Sequence, residues 1–418
     1  MQHWTDGAAF PIAASERMHE PLKERNILLG VSGGIAAYKS VELLRLMTTG
    51  GAGVRVVMTA NAGWFVGPGT FQALSGAPVC SSVFDEHDAA IKHIEWAQTT
   101  DLAVVAPATA NVIGKLANGI ADDALTTFML AVTAPVVICP AMNTNMYRHP
   151  AVQRNLARLR AFGHHIIEPD DGSLACGTVG PGRLPAPAVI LESLCALMSP
   201  QDLAGRTILI TAGPTREALD PVRFVSNPSS GKMGFALARA ACWRGARVHL
   251  VTGPVALAPP LGVALHPVVS AAEMSECVMR LLPQADIVIK AAAVADYRPV
   301  NCAAHKVKKS DAPLQIAMER TVDILQTIGT QKEGRILVGF AAETQDLQSN
   351  ARQKLKTKQL DLIVGNLINA PGAGFGSDTN QVSLFYPDGE VEALPVMSKD
   401  AVAHVLLDRI AALRPASG

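Results

Sequence analysis

Two α/β domains in tandem, each a doubly wound, Rossmann-like parallel sheet, are what this sequence predicts, and three observations predict them. Apolar residues make up 49% and aromatics 5% of the 418 residues, which suits buried parallel strands flanked by helices. From residue 26 onward short apolar runs alternate with helical segments, the signature of repeated strand–helix–strand units. The alternation starts afresh near residue 200, and a chain of this length exceeds one typical hydrophobic core.

In the first series "NILLGVS" reads as a strand, "AAYKSVELLRLMTTG" as a helix ending near Gly50, and "GVRVVMT" as a second strand. "DLAVVAPATAN" and "APVVICPAMN" are further strands, each leaving a polar or small-residue loop at its carboxyl end. Ligands of doubly wound sheets sit outside those carboxyl ends, so loops 32–36, 59–63, 107–111 and 141–147 are the candidate ligand loops. The stretch "SLACGTVGPGRLPAP", residues 173–187, is too rich in Gly and Pro for a helix or a strand interior and reads as a loop. Then come a helix, "AVILESLCALMS", and a linker, "PQDLAGR". The second series is "TILITAG", "ARVHLVTG", "ADIVIKAAA", "RILVGFAAET" and "LDLIVGN", closed by "QVSLFYPDGEVEALPV", a hairpin by its Asp-Gly turn. The expected division is a disordered extension over 1–24, a first domain over 25–200 and a second over 201–418.

Lys+Arg and Asp+Glu are both 36, so no global field draws the chain to nucleic acid or an anionic membrane, and anion binding must be local. The opening residues lack a basic segment followed by an apolar one, so no signal peptide is read there, and Met18 is an alternative start. The most apolar run, "LTTFMLAVTAPVVICPAM", is broken by Pro135 and Pro140 and reads as a helix and a strand, not a membrane span. A cytoplasmic location follows as the expectation. The seven cysteines are odd in number, scattered and without a C-x-x-C, and the eleven histidines show no H-x-x-x-H, so neither a disulfide framework nor a zinc site is indicated. For Cys176, set among glycines and prolines, a reactive thiol on a loop and a plain buried cysteine both stay open.

"GVSGGIAAYK" sets Ser32, Gly33 and Gly34 between a strand and a helix, where backbone N–H groups and the helix dipole favour an anion. The spacing is not G-x-G-x-x-G, which disfavours a dinucleotide-dependent oxidoreductase. Together with "KHIE", "APATANVIGKLANGIADDALTT", "PAMNTNMY" and "ACGTVGPGR" it resembles the flavin-dependent cysteine decarboxylases over about residues 25–190. The resemblance implies a flavodoxin-like flavoprotein domain that binds FMN through Ser32, Gly33, Gly34, Ile35, Thr59, Ala108, Thr109, Asn111 and Met142. It further implies that FMN oxidises the cysteine-derived thiol to a thioaldehyde, that this accepts the electrons released with CO2, and that the reduced flavin then restores the thiol. His93 would be the catalytic histidine, Asn143 would hold the substrate carboxylate, and Cys176, on a closing flap, would protonate the enethiolate. A thiol with an ordinary pKa of about 8.5 is mostly protonated at neutral pH yet able to release its proton.

In the second half "TAGPTREALDPVRFVSNPSSGKMG" connects a strand to a helix through a loop far longer than such units need. Thr215, Arg216, Arg223, Asn227, Ser229, Ser230 and Lys232 make it a supply of anion and amide ligands, without P-loop spacing. "KAAAVADYRP" and "HKVKKS" add Asp296 and lysines, and Lys354 and Lys358 share one helix face. These segments resemble the ligase half of the bifunctional phosphopantothenoylcysteine decarboxylase/phosphopantothenate–cysteine ligase family of coenzyme A synthesis, over about residues 204–390. That implies a homo-oligomer using 4'-phosphopantothenate, L-cysteine, CTP and Mg2+. The carboxylate would attack the α-phosphate, releasing pyrophosphate, and the amine of cysteine would then displace CMP from the acyl-cytidylate. Asn227 and Arg223 would contact the acyl part and Lys306 would assist the second step, while Lys290, Ala291, Ala292, Asp296, Phe340, Lys354 and Lys358 would form the nucleotide site. Thr321, Val322, Asp323 and Ile324 stand where the family usually has Asn-Pro-Asp-Ile, and Asn227-Pro228 where it has Asn-His; looser base selection is the expectation. A flavin-binding regulatory protein without turnover is the alternative.

Overall fold

The computed structural model describes residues 20–82, 89–174, 177–308, 314–343, 345–367 and 376–413, except the side chains of residues 20, 89–93 and 367. It divides into two compact units, Met1–Met198 and Ser199–Gly418.

In the first unit strands β1 (Asn26–Val31), β2 (Gly53–Met58), β3 (Val79–Cys80), β4 (Leu102–Ala108), β5 (Val136–Pro140) and β6 (His165–Ile166) form one sheet in the order β3-β2-β1-β4-β5-β6. Every pairing is parallel. The chain direction of winding reverses between β1 and β4, which opens a crevice at their carboxyl ends. β4 is buried along its whole length, as a central strand covered on both faces must be. Leu28, Val57, Ala103, Val105 and Ile138 pack on one face against Val112, Ile113, Leu116 and Phe128 of two helices. Those helices start and stop where local chemistry dictates. Thr109 caps Ala110–Asn118 by accepting from Val112 N, and Gly119, at φ 67°, ends it in the left-handed conformation. Asp123 and Thr126 form a capping box for Ala124–Ala131.

Residues 170–183 correct the loop expectation. β7 (Asp170–Ser173) and β8 (Val179–Arg183) are an antiparallel hairpin, with Gly180 at φ 149° and Gly182 at φ 144°. Those angles lie in a region that side-chain-bearing residues avoid, so a strand made of glycines carries no hydrophobic alternation to announce it. The extension is corrected too. Glu20–Leu22 is a 3-10 turn with Leu22 buried, and Glu24 N donates to Gly51 O at 3.0 Å; residues 1–19 lie outside the described residues.

The second unit contains β9 (Thr207–Ala212), β10 (Arg216–Ala218), β11 (Phe224–Ser226), β12 (Arg247–Thr252), β13 (Ala264–Pro267), β14 (Ile287–Lys290), β15 (Tyr297–Pro299) and β16 (Met318–Arg320). It continues with β17 (Ile336–Glu343), β18 (Leu362–Leu367), β19 (Thr379–Asn380), β20 (Val382–Phe385), β21 (Val391–Ala393) and β22 (Met397–Ser398). The main sheet runs β13-β12-β9-β14-β17-β18-β20-β21; its first six strands are parallel and β20–β21 add an antiparallel edge. Ile208 and Ile210 enter one core and Leu209 the other, the period-two alternation of a strand buried on both faces. The segment "PQDLAGR" is not a free tether: Leu203 is buried, and Asp202 pairs with the buried Arg244.

Candidate active sites

In the first unit a cavity of about 650 Å³ lies outside the carboxyl ends of β1, β4 and β5, lined by Gly33, Gly34, Ile35, Thr109, Met142 and Asn143 and by Lys39 and Arg183. Its floor is tied together from within. Ser32 Oγ donates to Pro107 O at 2.7 Å and accepts from Thr109 N at 3.0 Å, which fixes the β1 and β4 turns to each other. A Cβ on Gly33 would stand 2.5 Å from Asn61 Cβ, so only glycine lets the turn approach the next loop. The hairpin forms a further wall: Met142 N donates to Gly182 O at 3.0 Å, and Asn143 Nδ2 donates to Thr178 Oγ1 at 3.3 Å. Lys39, whose Nζ donates to Leu184 O, is held below the usual lysine range by removal from water first and by the Arg183 guanidinium second.

These residues fit a flat anionic cofactor. The volume lies within the range of cofactor pockets, roughly 300–1,000 Å³. The turn at Gly33–Gly34 opens its backbone to a ligand at a helix start, and Lys39 and Arg183 supply positive charge.

In the second unit a cavity of about 370 Å³ at the carboxyl ends of β9, β14, β17 and β18 is lined by Asn227, Lys290, Asp296, Phe340, Lys354 and Lys358. An adjoining one of about 560 Å³ shares Lys290, Asp296 and Lys358 and adds Thr321, Val322, Asp323 and Ile324. Asn227 Nδ2 donates to Ala293 O at 3.2 Å and to Val294 O at 3.1 Å. Thr321 Oγ1 donates to Ala295 O at 2.6 Å and its N–H to Asp296 O at 3.0 Å, while Asp323 caps the helix Ile324–Gly329 and pairs with Lys358 at 2.7 Å. Lys354 pairs with Glu343 at 2.7 Å. Lys290 lines the same cavity, and burial first and Lys358 second lower its pKa to about 8. Three lysines lining one cavity supply positive charge for an anionic ligand.

Comparison with known proteins agrees with both halves. The Flavoprotein family model matches residues 15–199 and that of the DNA/pantothenate metabolism flavoprotein C-terminal domain matches residues 203–413. The coenzyme A biosynthesis bifunctional protein CoaBC of Bacillus subtilis (strain 168) is 54% identical over 402 residues, covering 95% of this chain and 99% of that protein. This chain belongs to the CoaBC family. The CoaBC protein of Escherichia coli (strain K12) is 48% identical over 395 residues, 93% of this chain and 97% of its own. A solved C-terminal domain of a CoaBC protein is 46% identical, covers 50% of this chain and 96% of that one, and has a TM-score of 0.44. A solved FMN-dependent cysteine decarboxylase, SpaF, is 33% identical, covers 43% and 98%, and has a TM-score of 0.37. As a CoaBC-family member the chain is a bifunctional enzyme of coenzyme A biosynthesis, a flavoprotein decarboxylase joined to a ligase, and the regulatory alternative is not favoured. No helix among the described residues is long and apolar enough to cross a membrane.

Against this CoaBC frame, the sequence-predicted residues divide. Ala108 is buried in β4, Asn111 is exposed, and Thr59 and Ser32 stand outside the lining of the first cavity. His93 lies on the helix Ala89–Gln98 with its side chain outside the description, and Cys176 lies outside the described residues. In the second unit Ala291 and Ala292 line the 370 Å³ cavity, and Arg223 does not. Its guanidinium is bound to Asp220, at 3.0 Å from Nε and 2.6 Å from Nη2, and to Val307 O. Burial would raise the Asp220 carboxyl; N–H donors from Val222 and Val307 and the Arg223 guanidinium outweigh it and hold the group far below the carboxylate range. Lys306, beside Val307, is exposed and lines neither cavity. Thr215 is likewise internal, its Oγ1 accepting from Ala295 N at 3.0 Å, and Arg216 stacks on Phe224 at 4.6 Å. Sequence reasoning missed Lys39 and Arg183. Lys39 lies in the first turn of the helix Ala37–Thr49 that follows the Gly33–Gly34 turn, a place where a basic side chain is as readily read as solvated.

Proposed function

We propose that the first cavity is the FMN and phosphopantothenoylcysteine site and the second pair of cavities the CTP and phosphopantothenate site. The observation that carries this reading is that both units place a cation-lined cavity at the same topological point, between the first and fourth strands of the sheet. When bound, FMN supplies reversible two-electron oxidation of the thiol-bearing carbon, which gives the decarboxylation an electron acceptor. Gly33, Gly34, Ile35, Thr109 and Met142 hold it, supported from behind by Ser32, Thr59, Ala108 and Asn111. Asn143 and Lys39 orient the substrate carboxylate, His93 serves at the oxidation step, and the hairpin β7–β8 shields the site from water. Cys176 gives its proton to the enethiolate. Exposed Ile35, Tyr38 and Met146 at the cavity mouth support a homo-oligomer that covers them.

In the ligase, a carboxylate oxygen of phosphopantothenate forms a bond to the α-phosphorus of CTP as the bond to pyrophosphate breaks. The cysteine amine then bonds to the acyl carbon as CMP departs and the amine loses a proton. Lys290, Lys354 and Lys358 neutralise the polyphosphate, with Phe340 and residues 290–292 near the base. Asp296, which lines both cavities, would meet Mg2+ carried on the nucleotide's phosphates, the mode usual for that ion. Asn227 faces the acyl group. Arg223 is a positioning residue: through Asp220 it fixes the loop that carries Lys306. Thr321 likewise fixes the backbone at Asp296.

Cys176→Ser tests the decarboxylase half. The variant should still release CO2 from phosphopantothenoylcysteine and accumulate an enethiol, visible in the ultraviolet and trapped by alkylation; normal yield of the saturated thiol at the normal rate would overturn the assignment. Competition tests the ligase half: CTP should support amide formation in preference to ATP, and the reverse order refutes the cytidine assignment.

A further inference from the structure

One wall of the ligase cavity has no role in the reading above. It is formed by Asn366 at the end of β18, Asn380 in β19, Lys232 opening the helix Lys232–Trp243, and Lys399 opening the helix Lys399–Ala412. The sheet brings these four together. Asn366 pairs with Val382, two residues beyond Asn380, and Asn380 pairs with Met397, two residues before Lys399. Lys232 Nζ lies 2.6 Å from Asp378 Oδ1 and 2.9 Å from Gly376 O, and Lys399 Nζ donates to Ser377 O. The group thus carries two ammoniums against one carboxylate. Beside them the side-chain oxygens of Asn366 and Asn380 are both buried without a hydrogen-bond partner, and Asn380 as a residue is 4% exposed.

A buried carbonyl with no donor is costly, and a ligand that enters the cavity with donors relieves that cost. The occupant must bring donors for two amide oxygens and negative charge for two lysines together. A divalent cation would suit the oxygens but would stand against two ammonium groups in a cavity of low dielectric. A phosphate would suit the lysines but would turn its own oxygens toward the amide oxygens. An α-amino acid satisfies both at once, since its ammonium and carboxylate are separated by a single carbon.

We infer that this wall is the L-cysteine subsite, with the ammonium on Asn366 and Asn380 and the carboxylate on Lys232 and Lys399. The inference rests on the ligase reading and deepens it. The same cavity holds Asn227 and residues 291–293, so the bound amine waits beside the acyl group it must attack, and binding does part of the entropic work of the second step.

The test compares L-cysteine with cysteamine, which lacks the carboxylate, in the wild type, Asn380→Leu and Lys232→Met. Pyrophosphate release from CTP and phosphopantothenate without any amine is measured in parallel. In the wild type the KM of cysteamine should exceed that of cysteine by at least about tenfold, the size of one hydrogen bond to a charged group. Lys232→Met should narrow that ratio. Asn380→Leu should raise both KM values together, by at least about tenfold beyond its effect on pyrophosphate release. Equal KM values for the two amines in the wild type, or an Asn380→Leu enzyme whose amine KM is unmoved, overturn the subsite while leaving the ligase reading standing. A wild type that releases no pyrophosphate overturns the ligase reading, and the subsite with it.

Discussion

Gly182→Val should lower the decarboxylation rate by at least about 100-fold, the cost of misplacing a catalytic wall by roughly 1 Å. A Cβ at this position would stand 2.2 Å from the Met142 carbonyl oxygen, a contact with backbone that cannot swing aside, and the φ of 144° is itself hostile to any side chain. Either the hairpin lifts off the Met142–Asn143 loop or the loop moves, and in both cases the Met142 N–H loses its partner on Gly182. The wild type should bind FMN and show a flavin spectrum, while the variant should bind it more weakly and still form the amide from cysteine at an unaltered rate, since residue 182 belongs to the first unit. A variant with wild-type flavin affinity and decarboxylation would show that the close approach of hairpin and loop has no part in the site.

Lys290→Met should raise the KM for CTP by about 10- to 100-fold, the range for losing a hydrogen bond between charged groups, and should change its pH dependence. With a pKa lowered to about 8, Lys290 is charged below that value and sheds its proton as pH rises through it. Polyphosphate binds the charged form and draws the pKa upward. CTP affinity in the wild type should therefore be full near neutral pH and weaken above about pH 8, and the variant should lose that dependence. The same lowered pKa means that the folded state resists charging Lys290, so its contribution to stability is least favourable below about 8 and improves as pH rises from there toward the unfolded value of 10.5. A flat KM profile in the wild type, or an identical slope in Lys290→Met, would assign the titration elsewhere.

The two unequal halves of the ligase loop show what was legible. Asn227, in "FVSNPSS", lines the cavity, and so do Lys354 and Lys358, four residues apart. Arg223, which the family resemblance sets at the acyl group, is bound in the structure to Asp220, three residues earlier, whose side chain is buried. Burial of that carboxylate is a property of the surrounding fold, and no local pattern reports it. Arg183 was hidden for a related reason. It sits in a Gly- and Pro-rich stretch 144 residues after Lys39, and only the hairpin carries it to the same cavity.

By itself, the sequence determined the main strands and helices of two doubly wound sheets and the loops at their carboxyl ends, because those follow from apolar periodicity and from the residues that start and stop each element. The tertiary structure alone decided which polar side chains face a ligand and which are spent on the protein. Ser32, Thr215 and Arg223 became ties, and Lys39, Arg183, Asn366 and Asn380 became walls. Periodicity encodes which face of an element is buried, but the partner of a buried polar group comes from another part of the chain, and so its free or committed state exists only once the sheet has assembled.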